Sequence, residues 1–181
     1  SGTGTFSPND SASATSYDIT DADTAANSIE LILTATGSVA CNSVTNKDTL
    51  RVSFAPGPSA NVGLIKQDTV CANDRIYSIA GAVVNATGSW SSNNGTGIFN
   101  PDNSINAISY TVTDADTSTK NINLILTANG NGTCVGYSDT DTLKLSITPA
   151  PIATVGVTDT IPVCANAFTI PINGASITNA S

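Results

Sequence analysis

Apolar and polar positions alternate along much of this chain. Ile122, Leu124 and Leu126 fall on one side of 121–126, and Asn123 and Ile125 on the other. Leu143, Leu145 and Ile147 alternate with Lys144, Ser146 and Thr148, and Ile108, Tyr110 and Val112 with Ser109 and Thr111. Tyr77 and Ile79 flank Ser78, and Ile170 and Ile172 repeat that pair further on. A period of two predicts half-buried antiparallel strands with the apolar side turned to a core. No segment sustains the 3.6-residue period of a helix. Turn-forming groups separate the runs, at Ser92-Asn93-Asn94-Gly95, Asn100-Pro101-Asp102-Asn103 and Asn129-Gly130-Asn131-Gly132. About seven short strands within one stretch of this length predict an all-β fold, an antiparallel β-sandwich.

The pattern is also repeated. Residues 1–88 return as residues 94–181 without a gap, and 38 of the 88 aligned pairs are identical. Gly2-Thr3-Gly4-Thr5-Phe6-Ser7-Pro8 matches Gly95-Thr96-Gly97-Ile98-Phe99-Asn100-Pro101, and Val70-Cys71-Ala72-Asn73 matches Val163-Cys164-Ala165-Asn166. A 93-residue repeat is too long for a helical or leucine-rich solenoid, whose units run to about 20–50 residues. It is the size of one small domain. Ala55-Pro56-Gly57-Pro58 and Thr148-Pro149-Ala150-Pro151 read as linkers, because proline removes donors and stiffens a joint. Residues 58–150 then form one complete module. Residues 1–57 form the later part of a preceding module, and 151–181 the first strands of a following one, as in a window cut from a longer array. A competing register gives units 1–88 and 94–181, and requires a first strand that follows Trp90.

Composition narrows the function. Charged residues make up 11% of the chain, His is absent and the net charge is −8. The surface must be built from Ser, Thr, Asn and Gly. Nucleic acid is not an expected partner, since phosphate binding needs Lys/Arg clusters. An anionic membrane surface is disfavoured on the same ground, and no apolar run reaches the length of a membrane span. An enzyme is not expected: no His can act as general base, and the single Glu30 is matched by Asn123. The four cysteines occupy equivalent places, Cys41 with Cys134 and Cys71 with Cys164, which points to a repeated disulfide and an oxidising, extracellular setting.

The order Trp90, Gly95-Thr96-Gly97-Ile98-Phe99-Asn100-Pro101, Tyr110, Leu124-Ile125-Leu126-Thr127, Gly132-Thr133-Cys134 and Asp141-Thr142-Leu143 resembles the immunoglobulin-like or PKD-like tandem repeats of very large secreted Bacteroidetes proteins. Many of those carry a gliding-motility-associated sorting domain and leave the cell by the type IX system. The resemblance covers the whole chain. It implies tandem immunoglobulin-like (PKD-like) antiparallel β-sandwich modules in an adhesin, surface filament or appendage. The chain departs from it at Thr20-Asp21-Ala22-Asp23-Thr24, where many relatives are less acidic.

Candidate sites remain few. Asp21 and Asp23, and their counterparts Asp114 and Asp116, are weak calcium candidates, because paired carboxylates suit a hard cation that wants six to eight oxygens. The preferred alternative is a helical turn capped by Thr20 or Thr113, with the aspartates at its positive end. No other cofactor is expected. Trp90 reads as a core residue, with a sugar-stacking platform as the other reading. Asp-Ser/Thr-apolar tripeptides at Asp10, Asp23, Asp48, Asp68, Asp141 and Asp159 resemble O-glycosylation sites of secreted Bacteroidetes proteins, or arise because Asp ends turns and Thr opens strands. Asn85-Ala86-Thr87, Asn94-Gly95-Thr96 and Asn131-Gly132-Thr133 are N-glycosylation sequons that carry little meaning in a bacterium.

Three disulfide schemes are open. Cys71–Cys134 within the central module leads. Cys41–Cys71 with Cys134–Cys164 closes two loops of about 30 residues. The third staples neighbouring modules together. The expected partners are neighbouring modules of the same chain, further copies in a homo-oligomeric filament or appendage, and a cell-surface glycan or protein met through the variable loops 42–47 and 135–140.

Overall fold

The computed structural model describes residues 2–11, 16–156, 160, 162–166, 169–170 and 172–180, with the backbone alone at Cys41. Two compact units divide the chain, Ser1–Pro56 and Gly57–Ser181, and the boundary falls inside the first proline-rich joint. Among the described residues the chain is strands and turns, with two short helices.

In the first unit β1 (Thr5–Ser7) pairs antiparallel with β2 (Ser16–Asp18). The helix α1 (Asp21–Ala25) leads into β3 (Ser28–Thr36), which forms a long hairpin with β4 (Thr45–Ser53).

The second unit holds β5 (Ser59–Asn61), β6 (Gln67–Cys71), β7 (Ile76–Ser78), β8 (Ala82–Val84), β9 (Ala86–Asn93), β10 (Ile98–Asn100) and β11 (Ser109–Thr111). After these come α2 (Asp114–Thr119), β12 (Asn121–Gly130), β13 (Ser138–Thr148), β14 (Ile152–Thr154) and β15 (Ser176–Thr178). One sheet has the order β6-β13-β12-β9, antiparallel except for the parallel pair β6·β13. A second has the order β10-β11-β7, and β5 pairs with β8.

A single buried cluster joins side chains from both sheets, which gives the unit its sandwich-like character. Leu124 and Leu126 of β12 and Leu143 and Leu145 of β13 turn inward as their alternation requires. Trp90 of β9 lies opposite Leu126 in the sheet and stacks on Phe99 at 6.1 Å between ring centres. Phe99 meets Tyr110 edge-to-face at 5.0 Å. The first unit repeats that contact between Phe6 and Tyr17, also at 5.0 Å.

Two expectations are corrected. Ile108 does not share the buried side with Tyr110 and Val112; it is 65% exposed. It precedes β11, and its backbone is spent on loop bonds, from its own N–H to Asn100 O and from Ile79 N–H to its carbonyl. Ile170 and Ile172 do not match Tyr77 and Ile79: both are exposed and neither lies in a strand, whereas Tyr77 lies in β7 beside β11 and Ile79 is buried.

Leu124→Ala is expected to cost about 2–5 kcal/mol, the usual range for emptying a packed site. Urea unfolding followed by fluorescence of Trp90, the only tryptophan, reads this unit selectively. An unchanged midpoint would refute the facing of β12.

Candidate functional site

The strongest chemical feature is a buried aspartate built twice. Thr113 has extended backbone and caps α2. Its Oγ1 accepts from Asp116 N–H at 3.3 Å, and the Asp116 carboxylate accepts from Thr113 N–H at 3.0 Å. This is a capping box with Asp in the place usually taken by Glu or Gln. The same carboxylate, fully buried, accepts from Thr96 N–H at 2.6 Å, Thr96 Oγ1 at 3.0 Å and Tyr110 OH at 3.2 Å. Tyr110 OH in turn accepts from Gly97 N–H at 2.7 Å.

Position 97 must be glycine. A Cβ there would lie 2.1 Å from Thr111 O and 2.5 Å from Tyr110 Cζ.

The first unit repeats these bonds and adds one from Gly4 N–H to Asp23 at 3.1 Å. Asp23 accepts from Thr3 N–H at 2.6 Å, Thr3 Oγ1 at 3.1 Å, Tyr17 OH at 3.2 Å and Thr20 N–H at 3.2 Å. Gly4 N–H donates to Tyr17 OH at 2.7 Å. Among the described residues no basic side chain pairs with either carboxylate; oriented N–H and O–H groups hold the charge, which is how a buried ion becomes tolerable.

The electrostatics follow. The backbone N–H of Thr3 is the largest influence on Asp23, and with the Thr20 N–H and the Thr3 and Thr20 hydroxyls it lowers the pKa to about 2, against opposition from burial. Burial is the largest influence on Asp116 and disfavours its charge, yet the donors of Thr113, Thr96 and Tyr110 outweigh it and lower the pKa. Burial is also what raises the Tyr110 hydroxyl.

The aspartate pairs named as weak calcium candidates are divided between helix cap and surface. The Asp116 and Asp23 oxygens already face donor hydrogens, which stand where a cation would have to sit. Asp114 turns outward and pairs with Arg75 at 2.6 Å, while Asp21 is exposed, so neither pair of aspartates converges. Among the described residues no group of three or more His, Cys, Asp or Glu could hold a metal. The capped helical turn is the arrangement found.

The leading disulfide is also corrected. Cys71 lies opposite Thr148, at the end of β13, whereas Cys134 lies in the turn just before β13 begins at Ser138. Ten residue steps of strand, about 33 Å, separate those ends, and a bridge tolerates a Cα separation of only about 4.4–6.8 Å. Cys164 is exposed.

Trp90 is buried and offers no stacking platform. The Asp-Thr tripeptides have a local structural use. Asp48, Asp68 and Asp141 each accept the N–H of the following threonine, at 2.9, 2.7 and 2.9 Å. Asp68 also accepts from Tyr77 OH at 2.7 Å. Ala12, Asp159 and Ile161 of the other tripeptides lie outside the described residues.

Two roles were not read from the sequence. Asp139 and Asp141 hold the segment around β5, by Ala60 N–H at 3.0 Å, Val62 N–H at 2.8 Å and the Lys66 ammonium. An open groove of about 600 Å³ crosses the outer face of the four-stranded sheet, past Gln67, Thr69, Asn121, Asn123, Lys144 and Ser146, and no aromatic ring lines it.

Compared with known proteins, the chain matches no family model, no curated protein and no solved structure.

Asp116→Ala is expected to cost about 3 kcal/mol or more, since several buried donors lose their acceptor at about 1–3 kcal/mol each. The pH dependence has a fixed sign. The folded pKa lies below the unfolded value of about 3.9, so the stabilisation is complete above that value and is lost as pH falls toward the folded one. The wild type should lose more stability than Asp116→Asn as pH falls below about 4. Parallel acid titrations of the two would contradict the network.

Proposed function

We propose that this chain is part of a tandem array of immunoglobulin-like (PKD-like) modules forming the stalk or filament of a large secreted bacterial surface protein, an adhesin or appendage, with no enzymatic role. The observation that carries this reading is the aspartate network. Two stretches 93 positions apart build the same six hydrogen bonds to within 0.2 Å. A shared catalytic site would call for a titratable group open to solvent; these carboxylates are sealed and serve packing.

The strand order supports the finer fold assignment. With β7, β9, β10, β11, β12 and β13 taken as strands B to G, the sheets read D-E-B and G-F-C, the two-sheet division of an immunoglobulin sandwich. The strand β6, parallel to β13, takes the place of a split first strand. An acidic surface rich in hydroxyl and amide groups suits an extracellular position, and no described helix is long and apolar enough to cross a membrane. In such an array length scales with copy number, because each module buries its own core.

A second reading is that the modules themselves bind a glycan or protein. Val135 and Tyr137 favour it: both are exposed at the turn between β12 and β13, inside the segment where the two copies diverge.

Chains of two, three and four repeats should lengthen in solution by equal steps on the order of 40 Å, an 11-residue strand with its turns. Small-angle scattering measures this, and a maximum dimension that fails to grow would sink the stalk reading. Reproducible retention on a glycan array by a two-repeat chain would favour the binding reading instead.

A further inference from the structure

The outer face of the four-stranded sheet carries a groove that the packing of the core does not use. On β6, β9, β12 and β13 the positions that alternate with the buried ones hold hydroxyl, amide and a few apolar side chains, with Lys144 as the one charge. In a chain with 14 aspartates and glutamates, none of these positions is a carboxylate. The register sets two rows across three strands, Asn123, Lys144 and Gln67 in one and Asn121, Ser146 and Thr69 in the next. The rows lie about 7 Å apart, and neighbours within a row about 4.8 Å. Together they line the open groove of about 600 Å³, a volume inside the range of about 300–1,000 Å³ found for small-ligand clefts. Ser146 Oγ donates to Asn121 Oδ1 at 3.0 Å and so orients that amide. Asp68 also borders the groove, but its oxygens are taken: they accept from Thr69 N–H and Tyr77 OH, each at 2.7 Å.

The repeat shows what this face lacks. In the first unit the counterparts of Asn123 and Lys144 are Glu30 and Arg51, which stand opposite each other in β3 and β4. Glu30 is the only glutamate of the chain. The second unit keeps the cation and exchanges the carboxylate for an amide. Among the described residues Lys66 pairs with Asp141 and Arg75 with Asp114, but no carboxylate pairs with Lys144. An ammonium group donates and cannot accept, so it calls for an anion. The amides around it both donate and accept, which suits neighbouring hydroxyl groups. We propose that this groove binds an acidic sugar, a uronate unit of a polysaccharide, whose carboxylate takes beside Lys144 the place that Glu30 holds opposite Arg51. Gln67, Asn121 and Asn123 then bond the ring hydroxyls. An acidic peptide fits less well: its row of carboxylates would meet one cation, and its main chain would find β12 and β13 already paired on both sides. The site lies on the sheet face, apart from the turn of Val135 and Tyr137. It rests on the second reading above only in that the ligand is a glycan, and the stalk reading stands or falls without it.

Amide NMR titration of the 181-residue chain with tetragalacturonate tests it. Signals of Gln67, Asn123 and Lys144 should shift, and added salt should weaken the binding by screening the ion pair. Lys144→Gln should weaken it about tenfold. Asn123→Glu should do the same by supplying the carboxylate from within, and the first unit already carries Glu at that place. Tyr137→Ser should leave the affinity unchanged. The methyl ester of the same oligosaccharide keeps every ring hydroxyl and loses the charge, so it too should bind about tenfold more weakly. Unchanged Trp90 fluorescence would verify that each variant is folded. An absence of shifts up to about 10 mM ligand overturns the proposal. So does equal binding by the methyl ester, by Lys144→Gln, or by tetraglutamate, the last of which would make the partner an acidic peptide. Binding lost in Tyr137→Ser and kept in Lys144→Gln would overturn the groove and leave the reading of adhesive loops standing.

Discussion

A charge without a counter-ion organises each copy of the repeat. The Asp116 carboxylate is sealed from water and survives as an ion because Thr96, Tyr110 and Thr113 aim donors at it. Those donors come from the segment before β10, from β11 and from the cap of α2, so one side chain fixes three pieces of backbone. Gly97 allows the first of these to come close enough. The helix then ends on Lys120 in the left-handed region, φ 68°, and the Lys120 carbonyl accepts from Ile147 N–H at 2.7 Å. That bond delivers the chain into β12 already in register with β13. The longest hairpin of the sandwich is thus started by an electrostatic contact at its base.

The network and the core differ in range. Asp23 finds all its partners within the preceding 20 residues, and its bonds are intact although Leu33 and Leu50 of the same unit are uncovered. The sandwich core needs partners far along the chain: Val62 N–H reaches Asp141 across 79 positions, and β6 lies beside β13. A repeat of this kind therefore has a local part that forms from its own sequence and a distant part that needs another segment. Loop-closure entropy separates the two.

That difference in range also decided what could be read in advance. The inward side of β12 and β13 was legible because Ile122, Leu124 and Leu126 obey a period set by the backbone. The capped turns at Thr20 and Thr113 were legible because Thr followed by Asp at the third position is a local signal. Ile108 misled because alternation continues in the sequence where the strand has not yet begun. Tyr110 was read as a core residue, and the use of its hydroxyl was hidden. That Gly95-Thr96-Gly97 and Tyr110 recur together with Asp116 at one constant offset was the available clue. The pairing of Cys71 with Cys134 failed because spacing along the chain says nothing about which end of a sheet a residue occupies.

The parallel pairing of β6 with β13 has a mechanical consequence. In chain order β6 is the first strand of the four-stranded sheet and β13 the last, and the two run side by side in the same direction over five paired positions. A force pulling these two ends apart acts along the strands and loads all their hydrogen bonds at once. An antiparallel pair pulled from adjacent ends would instead open one bond at a time, like a zip. The neighbouring contacts of this clamp, Val70 beside Ile147 and the Lys66 carbonyl accepting from Lys144 N–H, share that load. Stretching along these two strands is thus resisted by their paired bonds together.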